Sequence, residues 1–293
     1  MSVKHIPVLL KEVSSILNPQ DGKIYVDATF GGGGHSEIIV KQANCTLIAI
    51  DQDIKTYQHY EFLKDKFNSN MYFFNDTFSN LDKILESLMI TKIDGILFDL
   101  GISSMQISGD DRGFSFYIDQ PLDMRMNQSI KLTAAEVVNH YSEKDLANII
   151  FYYGGEKRSR SIAKNIVHNR RKNRILTTFD LIEVIRSSVE KYYIKSHIHF
   201  ATKTFQALRI CVNNELETIH KTLEKLPKYI AHNGVVLAIS FHSLEDRIVK
   251  RHFKSYCTGP FHNITKKVII PEHSEINKNR RCRSSKLRAV RRV

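Results

Sequence analysis

The sequence predicts an α/β protein in which a largely parallel β-sheet carries an inserted helical domain. In the first hundred residues, short apolar runs alternate with segments of helical period, which is typical of a parallel sheet with helices on both faces. Residues 107–205 then show helical periods and no strong strand signal. Acidic residues end the apolar runs, at the edge where sheets of this kind bind ligands.

The first part of the chain predicts four strands with helices between them. The runs KIYVDAT, CTLIAIDQD, MYFFNDTF and IDGILFDLGISS have the length and apolar character of buried strands. Between them, SEIIVKQA, IKTYQHYEFLKDKF and LDKILESLM repeat their apolar residues at helical spacing. Because the strands are predicted to be parallel, we expect the acids that end them to share one edge of the sheet: Asp27, Asp51, Asp76 and Asp99.

The middle of the chain predicts helices, and the sheet resumes after them. Helical periods occur in TAAEVVNHYSEKDLANIIFYY, RSIAKNIVHNRR and TFDLIEVIRSSVEKYY, and TFQALRICVNNELETIHKTLEKLPKYI predicts one long helix leading back to the sheet. GVVLAISFHS predicts a fifth strand, LEDRIVKRHF a helix, and ITKKVIIP and KLRAVRRV two final strands. We therefore divide the chain into a sheet domain, first part, at 1–106, an inserted helical domain at 107–205, and a second sheet part with a basic tail at 206–293.

Composition indicates a globular protein. The chain has 293 residues, of which 42% are hydrophobic and 25% charged, and it contains no apolar run long enough to span a membrane. The start of the chain does not resemble a signal peptide, so we expect a cytoplasmic location. The four cysteines are far apart and form no C-x-x-C pair, so we expect reduced thiols and no metal site: Cys45, Cys211, Cys257 and Cys282.

The charge distribution predicts a polyanionic partner. The net charge is +12, and much of the excess is concentrated in two segments. Residues 157–174 carry eight Lys and Arg and no acid, and residues 280–293 carry seven and no acid. Concentrated basic segments of this kind are typical of a contact with a phosphate backbone, so we predict nucleic-acid binding.

The stretch Asp27-Ala-Thr-Phe-Gly-Gly-Gly-Gly-His-Ser36 predicts a cofactor loop between the first strand and the first helix. Glycines let a ligand approach the backbone closely because no Cβ stands in the way. A phosphate-binding P-loop requires a Lys that is missing here, and the G-x-G-x-x-G spacing of dinucleotide folds fits poorly. S-adenosylmethionine, which has no phosphate, is the third ligand compatible with such a loop.

Asp51 is the predicted ribose ligand. It ends the second strand, 17 residues after Gly34, and a carboxylate there can accept hydrogen bonds from both ribose hydroxyls. NAD would use the same acid, and a helix-capping role is the structural alternative. For Asp27, ordering of the glycine loop and a plain helix cap are both open readings.

Asp99 is the predicted substrate ligand, in DLGISSMQ at the end of the fourth strand. In methyltransferases that act on exocyclic amines, this position often reads D/N-P-P-Y/F; here Leu100 and Gly101 replace the prolines. An exocyclic amine is a poor nucleophile because its lone pair is delocalised into the ring. Asp99 would orient the amine and accept its hydrogen bond.

Two other classes of protein remain open from the residues alone. A nicotinamide-dependent oxidoreductase could use the same kind of sheet, but the glycine spacing and the basic segments disfavour it. A non-catalytic RNA-binding or ribosome-assembly factor would explain the charge. It would not explain the row of acids at the strand ends.

Seven segments, in order and covering nearly the whole chain, resemble the ribosomal RNA small-subunit methyltransferase H family, also called MraW. They are HIPVLLKEV, DATFGGGGHS, DGILFDLGISSMQ, RGFSF, PLDMRM, TFQALRI and SFHSLEDRIVKRHF. The resemblance implies a class I, Rossmann-like, S-adenosylmethionine-dependent methyltransferase sheet with an inserted helical substrate-recognition domain. It implies methylation of N4 of a cytidine in the decoding region of 16S rRNA. By motif position it implies seven cofactor contacts: Gly33, Gly34, His35, Asp51, Phe78, Asp99 and Gln106.

The chain departs from the family pattern at three places. Gln120 replaces a glycine of DGPLDMRM, and Phe200 and Lys203 replace a proline and an arginine of HPATRTFQALRI. Gly155 stands where the family tends to have Glu. Lys cannot make the bidentate phosphate contact of Arg, so these changes bear on RNA binding more than on cofactor binding.

On the substrate side, the target base must be unstacked to reach a buried methyl donor. We expect it between DLGISS and SFHS, where Ser240 and His242 could read the cytosine edge as catalytic residues; a structural turn is the alternative. Arg112 and Arg125 could meet phosphate at the entrance. An ion pair with Asp110, Asp111 or Asp123 is the competing reading.

Overall fold

The computed structural model describes residues 7–67, 70–108, 111–190 and 199–293. The chain divides into two compact units. The first comprises Met1–Ser103 with Leu216–Val293, and the second is Ser104–Glu215. The helical insertion was predicted for residues 107–205, and the second unit extends beyond both of these boundaries.

The first unit is built on a seven-stranded sheet. Its strands are β1 Ile24–Asp27, β2 Thr46–Ile50, β3 Asn70–Phe74, β4 Ile93–Asp99, β5 Ile230–Ser240, β6 Phe261–Asn263 and β7 Lys286–Arg292. Their order is β3-β2-β1-β4-β5-β7-β6. The first five strands pair in parallel, and β7 runs antiparallel to β5 and β6. The predicted α/β fold with a largely parallel sheet is therefore confirmed.

This strand order creates a topological switch point. The chain runs from β1 outward through β2 to β3, and then returns to β4 on the other side of β1. The connections after β1 and after β4 therefore leave the sheet in opposite directions. Their divergence opens a crevice at the carboxyl ends of these two strands, which is where open α/β sheets bind ligands.

The final strands differ from the prediction in part. KLRAVRRV forms β7, but ITKKVIIP forms no strand and makes a single bridge, between Ile269 and Leu287. The short strand β6 lies before it instead. The ladder ends after Asn263 because the Thr265 hydroxyl, rather than a strand carbonyl, accepts the hydrogen bond of Ala289 N–H.

Both faces of the sheet are buried, as the strands of a parallel sheet require. Successive strand residues alternate between two apolar clusters: Ile48 and Ile96 belong to one, whereas Leu47 and Leu97 belong to the other. All four side chains are fully buried. Burial of one such side chain contributes about 1.5–3 kcal/mol, so the sheet is a rigid support for the loops at its edge.

Most helices of the described residues lie in segments whose period predicted a helix, whereas the helices at Leu10–Leu17, Ser104–Ser108 and His273–Lys278 were not predicted. Among these helices, none has the length and apolar character to cross a membrane. In chain order they are α1 Leu10–Leu17, α2 Gly34–Gln42, α3 Tyr57–Phe67, α4 Leu81–Ser87, α5 Ser104–Ser108, α6 Ala134–His140, α7 Glu143–Gly154, α8 Ser159–Arg170, α9 Thr178–Arg186, α10 Thr202–Asn213, α11 Glu215–Lys225, α12 Ser243–Tyr256 and α13 His273–Lys278.

The prediction of one long helix over residues 204–230 is wrong. It is divided into α10 and α11 at Asn214, whose backbone is left-handed (φ 49, ψ 38). Asn adopts this conformation more readily than most residues, and it ends the helix by freeing the chain to turn. A 3₁₀ turn at Leu226–Tyr229 then leads into β5.

Apart from one isolated bridge between Pro121 and Thr177, the regular secondary structure described in the second unit is helical, and residues 111–133 form a long loop. Helix α7 packs between α8 and α10, and α8 packs on α9. The buried side of α8 includes Ile162 and Ile166, both fully buried, whereas Arg160 and Lys164 are exposed. Gly155 ends α7 with a positive φ of 63 degrees, which explains why glycine suits this position.

Candidate functional site

The glycine loop lies at the switch point, between β1 and α2. Gly31 and Gly33 have positive φ angles of 52 and 73 degrees, and Gly33 caps the start of α2. The loop is held to the neighbouring strand because Phe30 N–H donates to the carbonyl of Ile50. The sequence folds this way because glycine alone adopts left-handed backbone without strain.

The four glycines of the loop do not serve one purpose. A Cβ on Gly33 would lie 2.6 Å from Leu63 Cδ1, and a Cβ on Gly34 would collide with Pro7. These two residues are therefore required by the packing of the loop against its own unit. At Gly31 such a Cβ would lie in ordinary van der Waals contact, 3.7 Å from Ser103 Cβ, so the positive φ of this residue, rather than crowding, favours glycine.

Asp51 follows β2 and is tied into the glycine loop. Its carboxylate accepts hydrogen bonds from Gly31 N–H at 2.7 Å and from Asp53 N–H at 2.8 Å. Burial raises the pKa of Asp51 to about 7, although the hydrogen bonds from Asp53 and Gly31 act to lower this pKa. Each carboxylate oxygen retains a second lone pair, so the predicted acceptance of ribose hydroxyls is chemically available.

Asp27 orders the loop rather than capping a helix from outside. It is 1% exposed, and it accepts hydrogen bonds from Ser36 Oγ at 2.7 Å and from Thr29 N–H. Burial raises its pKa, and the nearby His35 and the Ser36 hydrogen bond oppose the rise. These contacts support the loop-ordering role of Asp27 over a plain helix cap.

His35 and Asp99 form a buried pair across the switch point. Nε2 of His35, in the first turn of α2, lies 3.5 Å from Oδ2 of Asp99 at the end of β4. His35 is 5% exposed. Within the described parts of the chain, neither ring nitrogen of His35 nor Oδ1 of Asp99 has a hydrogen-bond partner. Buried polar atoms without partners are costly, so their presence together marks a place where a ligand supplies them.

The electrostatics of this pair favour a charged imidazole. Burial alone would lower the pKa of His35, but the carboxylate of Asp99 close to its ring outweighs burial and the pKa is raised. Asp27 and Glu275 contribute in the same direction. The surrounding acids therefore favour the protonated imidazole.

Glu275 is a residue that sequence analysis missed. Its Oε1 accepts the N–H of Leu9 at 2.8 Å, and Leu9 has a strained left-handed backbone (φ 53) while being fully buried. This bond fixes the segment whose Pro7 packs on Gly34. Nothing in the local sequence indicates this contact, because it joins α13 to the start of the chain.

Phe78 and Gln106, the two remaining predicted cofactor contacts, lie in different units. Phe78 starts a 3₁₀ turn after β3 and is partly buried, with its ring edge-on to Phe98 at 5.5 Å. It also lines a small apolar void with Leu100 and Ile219. Gln106 is buried in α5 of the second unit. The cofactor contacts of both residues stay predictions.

Ser240 and His242 have structural contacts at the end of β5. Ser240 is 2% exposed, and its Oγ donates a long hydrogen bond of 3.4 Å to the carbonyl of Lys286. His242 caps α12, because its Nδ1 accepts the N–H of Glu245. Its Nε2 lies 3.1 Å from Glu245 Oε1. These contacts match the structural-turn alternative, and a catalytic role for either residue stays a prediction.

Glu245 is the second residue that sequence analysis did not single out. It is fully buried, and its Oε2 accepts the N–H groups of Phe241 and His242. A Cβ on Gly101 would lie 3.9 Å from its Oε1, so this carboxylate stands beside the loop that follows Asp99. The signal was available: an acid three residues after a helix cap is the pattern of a capping box.

In the second unit, the arginines expected at an entrance are engaged internally. Arg125 forms a two-point ion pair with Asp123, at 2.8 and 2.7 Å. Arg112 is 3% exposed and donates to the carbonyls of Arg125 and Met126. The ion-pair alternative is therefore the one that Arg125 follows, with Asp123 as its partner. Asp110, another acid considered for such a pair, lies outside the described residues.

The three departures from the family pattern occupy ordered positions in this unit. Gln120 is 9% exposed, and its side chain accepts from Gly113 N–H and donates to Asp111. Phe200 is 4% exposed and stacks on His199, and Lys203 lies in the first turn of α10. Gln120 and Phe200 are thus part of the packing of the unit.

The site on the first unit fits S-adenosylmethionine. The free lone pairs of Asp51 and the unpartnered atoms of His35 and Asp99 suit a ligand with a ribose and with charged amino-acid groups. No cluster of donors for a phosphate chain accompanies them among the loop residues described above. The fold and this site define a protein of the class I, Rossmann-like, S-adenosylmethionine-dependent methyltransferases.

The chain belongs to the MraW methylase family, whose model matches residues 2–293. The predicted membership is therefore confirmed. A relative from Ehrlichia ruminantium (strain Welgevonden) is 49% identical over 298 residues, covering 98% of each chain. One from Wolbachia sp. subsp. Drosophila simulans (strain wRi) is 47% identical over 292 residues, covering 99% of each. Both are named Ribosomal RNA small subunit methyltransferase H.

A solved structure shares the fold at low sequence identity. The crystal structure of a proposed rRNA methylase from Clostridium thermocellum aligns with a TM-score of 0.50 and 12% identity. The alignment covers 99% of this chain and 100% of that chain. At this identity the likeness concerns the fold alone.

Proposed function

We propose that this protein transfers a methyl group from S-adenosylmethionine to the N4 exocyclic amine of a cytidine in the decoding region of 16S rRNA, in the cytoplasm. Membership of the MraW methylase family supports methyl transfer, and the name of the relatives supports the small-subunit rRNA as substrate. The observation that carries the proposal is the buried Asp99–His35 pair with its unpartnered atoms at the switch point.

Most of the proposed cofactor contacts come from residues of the first unit. Asp51 would bind the ribose hydroxyls, since its carboxylate is already oriented by Gly31 and Asp53. Gly33 and Gly34 would shape the loop, and His35 would meet the polar end of the amino acid. Phe78 and Gln106, from the motif positions of the family, would complete the contacts.

Asp99 is the residue we assign to the substrate amine. The bound cofactor supplies a methyl group activated by sulfonium charge. Oδ1 of Asp99 is free to accept an N–H of the amine, which localises the nitrogen lone pair and fixes its direction. Oδ2 faces His35, so the carboxylate cannot rotate freely. Positioning is therefore the larger part of its contribution, and acceptance of the amine proton adds to it.

The first experiment is methyl transfer from labelled S-adenosylmethionine to small ribosomal subunits that lack this modification, followed by nucleoside mass spectrometry. We expect label in N4-methylcytidine. At saturating cofactor, Asp99→Ala should lower the single-turnover rate by about 10²- to 10⁴-fold, as for loss of a general acid–base group.

Asp76→Ala is the matched control. Asp76 also follows a strand, but its Oδ1 is used by Thr77 N–H and Asn80 Nδ2 in a local turn. Its replacement should leave the rate unchanged. Binding of cofactor and subunit without any label would overturn the proposal in favour of an assembly factor. Label on a different nucleoside would overturn the choice of substrate atom.

A further inference from the structure

The second unit contains a column of aromatic rings that the proposed chemistry does not use. His199 is stacked between Phe116, at a centroid distance of 4.6 Å and an angle of 9 degrees, and Phe200, at 4.4 Å and 28 degrees. Tyr117 makes a tilted contact with Phe116, at a centroid distance of 4.7 Å and an angle of 45 degrees. Its ring also approaches His199, at 6.2 Å. We call these four residues the aromatic column.

The aromatic column is anchored at its buried end. Phe200 is 4% exposed, and Phe116 packs edge-on against Phe205 of α10, which is also 4% exposed. The guanidinium of Arg186, in α9, lies over the Phe200 ring at 5.6 Å. Such packing fixes the orientation of the rings before any ligand arrives, which reduces the entropy lost on binding.

The other end of the aromatic column is open. Tyr117 is 76% exposed, and its neighbour Ile118 is 56% exposed. A large aromatic side chain that rests on other rings and still presents its surface to solvent is a stacking platform, because its position is supported from below. Burial, followed by the charge of Arg186, lowers the pKa of His199, so the imidazole is neutral at pH 7 and stacks as an uncharged ring.

The charges of this unit favour a nucleic acid as the occupant. Residues 157–174 carry eight Lys and Arg and no acid, and Arg160, Lys164, Arg171 and Lys172 are exposed. The acids near the column are engaged: Glu183 pairs with Arg186 at 2.8 Å, and Asp119 accepts the N–H of Phe179. Every base has a π-face, so an exposed ring in a unit that also exposes basic residues is suited to a splayed base of single-stranded RNA.

We propose that Tyr117, supported by the aromatic column, is a stacking platform for an unpaired base of the RNA substrate. This inference rests on the proposed function, since it concerns how the same RNA substrate is held. Tyr117 is thus a positioning residue, distinct from the groups that meet the cofactor.

The test is binding of a fluorescein-labelled single-stranded oligocytidylate, followed by anisotropy at several salt concentrations. Tyr117→Ala should weaken binding by about 5- to 150-fold, the usual effect of removing one base-stacking ring. Tyr117→Phe should keep near wild-type affinity, because the stacking ring remains. The dependence of the affinity on salt should not change in Tyr117→Ala, because no phosphate contact is lost.

Ile118→Ala is the matched control, since it removes an exposed apolar side chain from the adjacent position. Three results would each overturn the platform. The first is an RNA affinity of Tyr117→Ala equal to that of the wild type, and the second is an equal loss of affinity in Ile118→Ala. The third is a wild-type protein that does not bind the RNA. Far-UV circular dichroism and S-adenosylhomocysteine binding should be unchanged in all variants. Methyl transfer to small subunits separates the two proposals. If the wild type transfers no methyl group, the proposed function is wrong. If the KM for small subunits is unchanged in Tyr117→Ala, only the platform is wrong.

Discussion

The first unit buries a facing acid and histidine at its proposed cofactor site, whereas the second unit holds its entrance arginines internally and exposes other basic residues. His35 and Asp99 are buried together with atoms that lack partners among the described residues. In the second unit, Arg125 pairs with Asp123 and Arg112 donates to two carbonyls, while Arg160 and Lys164 of α8 are exposed.

This difference corresponds to the two kinds of ligand. A small cofactor is enclosed, and its site can hold unpaired groups in a low dielectric, where each contact is strong. A polyanion is bound over a surface, where charges act together and salt screens them. The comparison can be tested by changes that separate packing, protonation and surface charge.

The largest expected effect is that of Gly33→Ala in the first unit. Both Gly33 and Gly22 have φ near 72 degrees, but a Cβ on Gly22 meets nothing within 4 Å, whereas one on Gly33 overlaps Leu63 and Phe30. Gly22→Ala should cost about 1–2 kcal/mol of stability for the left-handed backbone. Gly33→Ala should cost about 1–3 kcal/mol more for overpacking.

Denaturant titration and calorimetry with S-adenosylhomocysteine measure this pair of variants. Gly33→Ala should also lose cofactor binding, because its loop must move, while Gly22→Ala should keep it. Equal losses of stability with unchanged binding would contradict the packing role of Gly33.

The intermediate effect is the pH dependence of cofactor binding through Asp51. The pKa of Asp51 is raised to about 7, and ribose hydroxyls donate stronger hydrogen bonds to an ionised carboxylate than to a protonated one. Tight binding therefore favours the deprotonated acid, and the affinity for S-adenosylhomocysteine should fall below pH 7, by up to about tenfold per pH unit. Above 7 it should level off.

Calorimetric titrations between acidic and mildly basic pH measure this dependence, with Asp51→Asn as the comparison. The variant should bind weakly and without this pH dependence. A wild-type affinity that does not change across neutral pH would show that Asp51 is not the titrating ligand group.

The smallest effect concerns the surface charge of the second unit. Replacement of both Arg171 and Lys172 by Gln should reduce the slope of log affinity for single-stranded RNA against log salt by about 0.7 per lost phosphate contact. Cofactor affinity should not change. Lys221→Gln is the control, because Lys221 is paired with Glu217 on the first unit. An equal change in slope for the control would show that the basic segment has no special role.

Much of the fold followed from local pattern. The strand runs, the glycine loop and the acids at strand ends were predictable because apolar period and left-handed glycines act over a few residues. The long helix of residues 204–230 was predicted wrongly, since its period continues through Asn214 while the backbone does not. ITKKVIIP likewise has the composition of a strand, but the hydroxyl of Thr265 accepts the hydrogen bond of Ala289 N–H in place of a strand carbonyl.

The sequence by itself determined which elements form and which acids end the strands. Only the tertiary structure decided which of these groups meet. His35 faces Asp99 because the strand order brings the ends of β1 and β4 together. Glu275 reaches Leu9, and Phe116 stacks on His199, across long separations in the chain. Such pairings depend on the order and packing of whole elements, and no local period in the sequence encodes them.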